Sequence, residues 1–164
     1  MADIALTVAA IIEHQGKFLM VEETDKGAVV FNQPAGHVEP QESIIAAVKR
    51  EVLEETGLTF TPEHLVGNYF LSPATNGKHY FRFCFCGSVL APESSQPQDP
   101  DIIATHWLSL SEITALGRQL RSGLVLQCLR DYLNQERYPI SQFHYHFDEV
   151  AMANSCYTDL LKFN

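Results

Sequence analysis

One segment constrains this chain more than any other: residues 36–58, which pair an amphipathic helix with a cluster of acids. From Ser43 to about Glu55, the residues Ile44, Ile45, Val48 and Val52 fall on one side of a helix and form its core stripe. Ser43 is suited to cap the start, and Gly57 to take the left-handed position after the last turn. Leu58 is then expected to fold back on Leu53 as in a Schellman stop, which accounts for a leucine lying off the stripe. On the adjoining face Glu51, Glu54 and Glu55 stand at i, i+3 and i+4, so their carboxylates gather.

Around this helix the chain alternates between strand and helix patterns. Residues 4–13 are apolar and β-branched and predict a buried strand. A turn at His14-Gln15-Gly16-Lys17 then returns Phe18 to Val21 as a hairpin partner. Further strands are predicted at Ala28 to Phe31, Val66 to Leu71, His79 to Leu90 and Ile102 to Leu108. Asn76-Gly77 serves as the hairpin dipeptide that joins Val66 to Leu71 with His79 to Leu90. Ser111-Glu112 opens a short helix, and Leu126, Leu129 and Leu133 mark an amphipathic one over Leu124 to Leu133. Residues 92–100, rich in Ser, Gln and Pro, read as a loop. At 164 residues with neither repeat nor domain-sized linker, the chain is expected to form one α/β domain over 1–164, a mixed sheet covered by helices. The pattern decays after Arg137, and the tail 142–164 has no legible role.

Eleven Lys and Arg against twenty Asp and Glu give a formal charge of −9. This balance argues against docking on nucleic-acid polymers or anionic membranes, and the apolar run Ile4 to Ile12 is far shorter than the ~20 residues a membrane helix needs. Cys84 and Cys86 lie two apart in an aromatic run and are expected to be reduced core residues, consistent with a cytoplasmic protein. The charge is not evenly spread. Residues 36–58 hold Glu39, Glu42, Glu51, Glu54 and Glu55 against Lys49 and Arg50. Acids crowded into the C-terminal half of a helix oppose its macrodipole, so a solvated acidic face explains them poorly. Hard oxygen ligands beside a glycine-centred loop suit Mg²⁺ or Mn²⁺, ions that bridge to substrate phosphates.

The segment resembles the Nudix box, Gly-x5-Glu-x7-Arg-Glu-U-x-Glu-Glu-x-Gly-U with U apolar. Gly36, Glu42, Arg50, Glu51, Val52, Glu54, Glu55, Gly57 and Leu58 fill every fixed place. The resemblance implies a Nudix-type α/β/α sandwich with a mixed β-sheet and hydrolysis of a diphosphate linkage. It also implies divalent ions on Glu51, Glu54 and Glu55 with the Gly36 carbonyl, and Arg50 orienting box carboxylates such as Glu42. Catalytic roles fall to Glu51, Glu54 and Arg50. The general base stays open between Glu51 and a later acid: Glu93, Asp99 or Asp101.

Outside the box, Asn32-Gln33-Pro34-Ala35-Gly36-His37, Phe81-Arg82-Phe83, Gln96-Pro97, Leu120-Arg121-Ser122 and Arg137-Tyr138-Pro139 are similar to a phosphatase branch of that family. That branch implies release of orthophosphate from nucleoside di- and triphosphates and from thiamine-related pyrophosphates, including hydroxymethylpyrimidine pyrophosphate and thiamine pyrophosphate. The competing readings are a Nudix pyrophosphatase of oxidised nucleotides or dinucleoside polyphosphates, and a non-catalytic nucleotide-binding module. The partner is a small phosphorylated substrate, and the chain a monomer or homodimer. Read from its own strand, Arg82 needs an anion: either a structural carboxylate or a substrate phosphate suited to its guanidinium fork. Arg121 is a second phosphate candidate. Trp107 is expected to pack in the core, and His144 and His146, two apart near the tail, are noted as metal-ligand candidates.

Overall fold

The computed structural model describes residues 3–74 and 76–146. The β-branched N-terminal run forms β1 (Ile4–His14), and β2 (Lys17–Asp25) returns from it through Gln15 and Gly16, both at positive φ. The two strands pair only at the base of their hairpin, Glu13 with Phe18 and His14 with Lys17. They then part, so the expected hairpin opens into two leaves of one eight-stranded mixed sheet. Along the first leaf β1 runs parallel to β6 (His79–Val89) and antiparallel to the short β4 (Ala35–His37). Along the second, β2 lies between β3 (Ala28–Asn32) and β7 (Ile102–Leu108).

Alternation along β1 divides the core. Val8, Ala10 and Ile12 face α1 (Ile44–Thr56), where they pack with Ala47, Val48, Val52, Leu58 and Phe85. Ala9 and Ile11 face the other way with Cys84 and Cys86, against Ile113 of α2 (Leu110–Leu116) and Val125, Cys128 and Leu129 of α3 (Leu124–Leu133). Helices thus cover both faces of the sheet, as the α/β/α expectation required. Cys84, Cys86 and Cys128 are buried free thiols. No helix among the described residues is long and apolar enough to cross a membrane.

Several expectations are corrected. The fully buried part of α1 centres on Ala47, Val48, Val52 and Thr56, while Ile44 and Ile45 are only half-buried at its open end. The Schellman stop is absent. Gly57 (φ 72) donates its N–H to the Leu53 carbonyl in a simple left-handed stop, the Leu58 N–H goes to Thr56 Oγ1, and Leu53 stays 41% exposed. The strand predicted from Val66 begins earlier, as β5 (Phe60–Leu71), because register shifts around Pro62/His64 and Leu65/Gly67 scramble its alternation. Asn76-Gly77 sits inside a longer β5–β6 loop, closed by a bond from the Ala74 N–H to the Lys78 carbonyl, and not in a two-residue turn. The cap of α2 is Ser109, in a reciprocal capping box with Glu112. A final short strand, β8 (Tyr138–Pro139), pairs with β5 where the sequence showed none.

The predicted loop at 92–100 is tied to the end of α1. Gln98 and Asp99 donate backbone N–H groups to the Glu54 carbonyl, and Gln96 donates to that of Thr56. These satisfy helix-end acceptors, and the Ser95 hydroxyl donates to the Thr56 carbonyl as well. A Cβ added at Gly57 would meet the Gln96 carbonyl. Gly57→Ala is therefore expected to lower unfolding free energy by at least the ~1–2 kcal/mol of a left-handed non-glycine residue, measurable by urea denaturation.

Candidate active site

The box helix, β4 and the ends of β1, β2, β3 and β6 enclose a cleft of about 680 Å³. Its acidic wall is organised by one arginine. Arg50 grips Glu42 with both ends of its fork, Nε to Oε1 at 2.8 Å and Nη2 to Oε2 at 2.8 Å. Nη1 donates to Glu51 at 2.8 Å and to Glu54 at 3.1 Å, and Nη2 also reaches the His37 carbonyl at 2.9 Å. These contacts lower the Glu42 carboxyl and raise the guanidinium of Arg50. Glu42 in turn accepts the Glu39 N–H, closing the glycine-anchored loop onto the helix. Sequence spacing brings Glu51, Glu54 and Glu55 to one side; Arg50 sets the rotation of the first two.

Glu51 and Glu55 are the hidden members. Burial raises the Glu51 carboxyl against the opposing pull of Arg50. Glu55 is 5% exposed and accepts the Ala35 N–H at 2.8 Å. Burial first, then the nearby Glu23, Glu51 and Asp99, push its carboxyl up to about 9. Gly36 lies so close to Glu51 that an added Cβ would fall on the carboxylate. As placed, the carboxylates serve Arg50 and a backbone N–H, and among the described residues no three His, Cys, Asp or Glu groups converge on one cation position. The donor chemistry nevertheless fits a hard divalent ion: carboxylate oxygens only, packed against a glycine backbone, with like charges that a cation would relieve.

A wider comparison decides the family. A model of the NUDIX domain matches residues 3–127. The chain belongs to the Nudix hydrolase family. It is a hydrolase of phosphoric anhydride bonds. It is 38% identical over 136 residues to the phosphatase NudJ of Escherichia coli (strain K12), covering 82% of this chain and 87% of that one. Among solved structures, a NUDIX hydrolase from Nitrosomonas europaea shares 46% identity with a TM-score of 0.83, over 88% of this chain and 98% of the other. A MutT protein from Methanosarcina mazei Go1 shares 26% with a TM-score of 0.69, over 83% and 98%.

The remaining site residues of this Nudix hydrolase divide between the cleft and elsewhere. Arg82 lines the cleft, in register between Thr7 of β1 and Tyr69 of β5. Its Nε and Nη1 are buried without a hydrogen-bond partner, and among the described residues it has no ion pair. No structural carboxylate among the described residues accounts for it. Arg121 also lines the cleft, but its Nη1 is bound to Glu23 at 2.9 Å and its Nη2 lies 3.8 Å from Asp25. Of the four base candidates, Glu51 and Asp99 face the cleft. Glu93 lies instead beside His14, 3.9 Å away, near Trp107. Asp101 donates its N–H to the Asp99 carboxylate and is not part of the cleft wall. Trp107 is partly buried against the α1-side core with its Nε1 donating to the Pro92 carbonyl, and His144 and His146 are exposed.

Two cleft residues escaped the sequence reading, Glu23 and Asn32. Alternation from the buried Val21 would have put Glu23 on the inner face, but Glu22-Glu23 reads as the charged end of a strand. Asn32 reads as turn punctuation before Gln33-Pro34, although it is 3% exposed.

Proposed function

We propose that this enzyme is a divalent-metal-dependent phosphatase that releases orthophosphate from nucleoside di- and triphosphates and from thiamine-related pyrophosphates, among them hydroxymethylpyrimidine pyrophosphate and thiamine pyrophosphate. The observation that carries this reading is Arg82, which lines the cleft with the box carboxylates and whose Nε and Nη1 have no hydrogen-bond partner among the described residues. A buried cation with unused donors calls for an anion, and a guanidinium fork matches phosphate. The likeness to NudJ, a phosphatase, supports orthophosphate as the product.

Glu51, Glu54, Glu55 and the Gly36 carbonyl would hold Mg²⁺, or Mn²⁺ in its place. When bound there, such an ion neutralises the diphosphate and acidifies the attacking water. The protein does the positioning. Arg50 holds Glu51 and Glu54 at fixed rotations, Arg82 fixes the phosphate, and Arg121 contributes a second cationic edge balanced by Glu23. Glu51 or Asp99 takes the proton of the attacking water, since both line the cleft.

Replacing Arg82 with Gln is expected to raise KM for a triphosphate roughly 10- to 100-fold, the worth of ~1.5–3 kcal/mol for hydrogen bonds to a charged group. Because no hydrogen bond or ion pair among the described residues holds the guanidinium, the melting temperature should hold or rise; a marked fall would identify Arg82 as structural. Phosphorus NMR of CTP and hydroxymethylpyrimidine pyrophosphate turnover with Mg²⁺ tests the reaction itself. CDP and orthophosphate are the expected products from CTP, and pyrophosphate with CMP would overturn the terminal-cleavage reading.

A further inference from the structure

We infer that Tyr80, braced by His37, is the platform on which the substrate's aromatic heterocycle stacks, at the end of the cleft away from the deepest acid. This rests on the cleft being the substrate site and adds to it the part of the substrate that the phosphate-binding end does not read.

The strand register lays out the floor of the cleft. Tyr80, Arg82 and Cys84 alternate onto one face of β6. On β1, Arg82 is level with Thr7 and Tyr80 with Ala5; on β4, His37 is level with Thr7 and Ala35 with Ala9. Ala35 is the residue whose N–H Glu55 accepts. Tyr80 therefore lies four residues further along the sheet than this contact, about 13 Å at the strand rise. The floor passes in order from carboxylate to guanidinium to aromatic ring, and Glu55, Arg82 and Tyr80 all line the cleft. A phosphoric anhydride that ends in a heterocycle presents its groups in that same order.

Tyr80 is both open and held still. Further along its face of β6, Cys84 and Cys86 pack with Val125, Cys128 and Leu129 of α3 and are buried. Tyr80 belongs to neither core cluster and is only half-buried. Its hydroxyl accepts the Asn76 Nδ2–H at 2.8 Å, and Asn76 is fixed in turn by accepting the Lys78 N–H at 3.0 Å. The His37 ring stands beside it, with centroids 6.3 Å apart and planes tilted by 53°. A phenol held by its hydroxyl and by a neighbouring ring keeps its plane, so stacking on it costs little side-chain ordering.

The chemistry narrows the occupant. With its hydroxyl already engaged, Tyr80 has π surface to offer. A free cation is a poor occupant, because Lys78 and Arg121 both bring positive charge to bear on His37. A flat, polarisable heterocycle suits the platform, and such stacking tolerates different bases because each has a π face. Purines and pyrimidines alike meet the requirement; a bare polyphosphate or an abasic sugar phosphate does not.

The test compares CTP and ATP with ribose 5-triphosphate, which keeps the sugar and phosphates but has no base, in the presence of Mg²⁺. The wild type is expected to show kcat/KM for both nucleotides at least about tenfold above that for the abasic compound. Tyr80→Leu should bring that ratio toward one, and Tyr80→Phe should preserve it because the stacking surface stays. Tyr80→Met carries the test if the leucine variant fails to fold. Calorimetry with β,γ-methylene-CTP and with methylenediphosphonate, which has no base, reads the same comparison without cleavage. Three results would overturn the platform and leave phosphate release standing: equal kcat/KM for CTP and ribose 5-triphosphate in the wild type, a loss in Tyr80→Leu that is the same for both, or loss of the preference in Tyr80→Phe. Base-selective binding that Tyr80→Leu abolishes, with no phosphate released from any compound, would support the platform and overturn the hydrolytic reading of the cleft. Absence of both binding and release would overturn the two together.

Discussion

Substituting Glu54 with Gln should cut Mg²⁺-supported turnover by about 10²–10⁴-fold, the several kcal/mol of transition-state stabilisation that a divalent site supplies. The change is nearly isosteric and removes only the charge. The Glu54 side chain is 45% exposed and its one ion pair among the described residues is to Arg50 at 3.1 Å, so little folding energy depends on it. Its structural service is through the backbone carbonyl that receives Gln98 and Asp99, which the substitution leaves in place. The melting temperature should therefore stay close to that of the wild type while orthophosphate release collapses. Turnover near the wild-type rate with Mg²⁺ present would sink the metal-site reading of the box.

A single methyl group at Gly36 should be nearly as damaging. Gly36 sits in β4 opposite Val8 and is not among the positive-φ residues, so alanine suits the backbone there. The obstacle is space. The new Cβ would land on the Glu51 carboxylate, which must swing away from both β4 and the Arg50 fork. Misplacing a catalytic group by about 1 Å can cost roughly 10²-fold, and that is the expected loss in kcat/KM. A shift of this kind spares the fold, so far-ultraviolet circular dichroism should be unchanged. Activity within a few-fold of wild type would show that Glu51 does not work from the position it occupies against Gly36.

Much of this site was legible because its chemistry is local. Ser43, Arg50, Glu51, Glu54 and Gly57 lie on one helix or at its ends, where spacing alone determines which side chains meet. The cap at Ser43 and the stop at Gly57 formed as their residue types require. Errors arose where local pattern competed with packing. Leu53 was expected to fold back but is exposed, since Thr56 Oγ1 takes the N–H that a Schellman turn would use. β5 was found half-length because bulges near Pro62 break the period-two signal.

The sequence by itself determined the acidic helix, the strands beside it and the family pattern, because each depends on residues a few positions apart. Only the tertiary structure decided what those acids face. It separated β1 from β2 beyond their shared turn, brought Glu23 and Asn32 onto one inner face, and left Arg82 half-buried with no carboxylate partner among the described residues. It also divided the later acids, holding Asp99 at the cleft through the Glu54 carbonyl and sending Glu93 to the far end by His14. Those outcomes depend on strand register and on which partners are present in a buried place. Neither is written in the spacing of residues along one element.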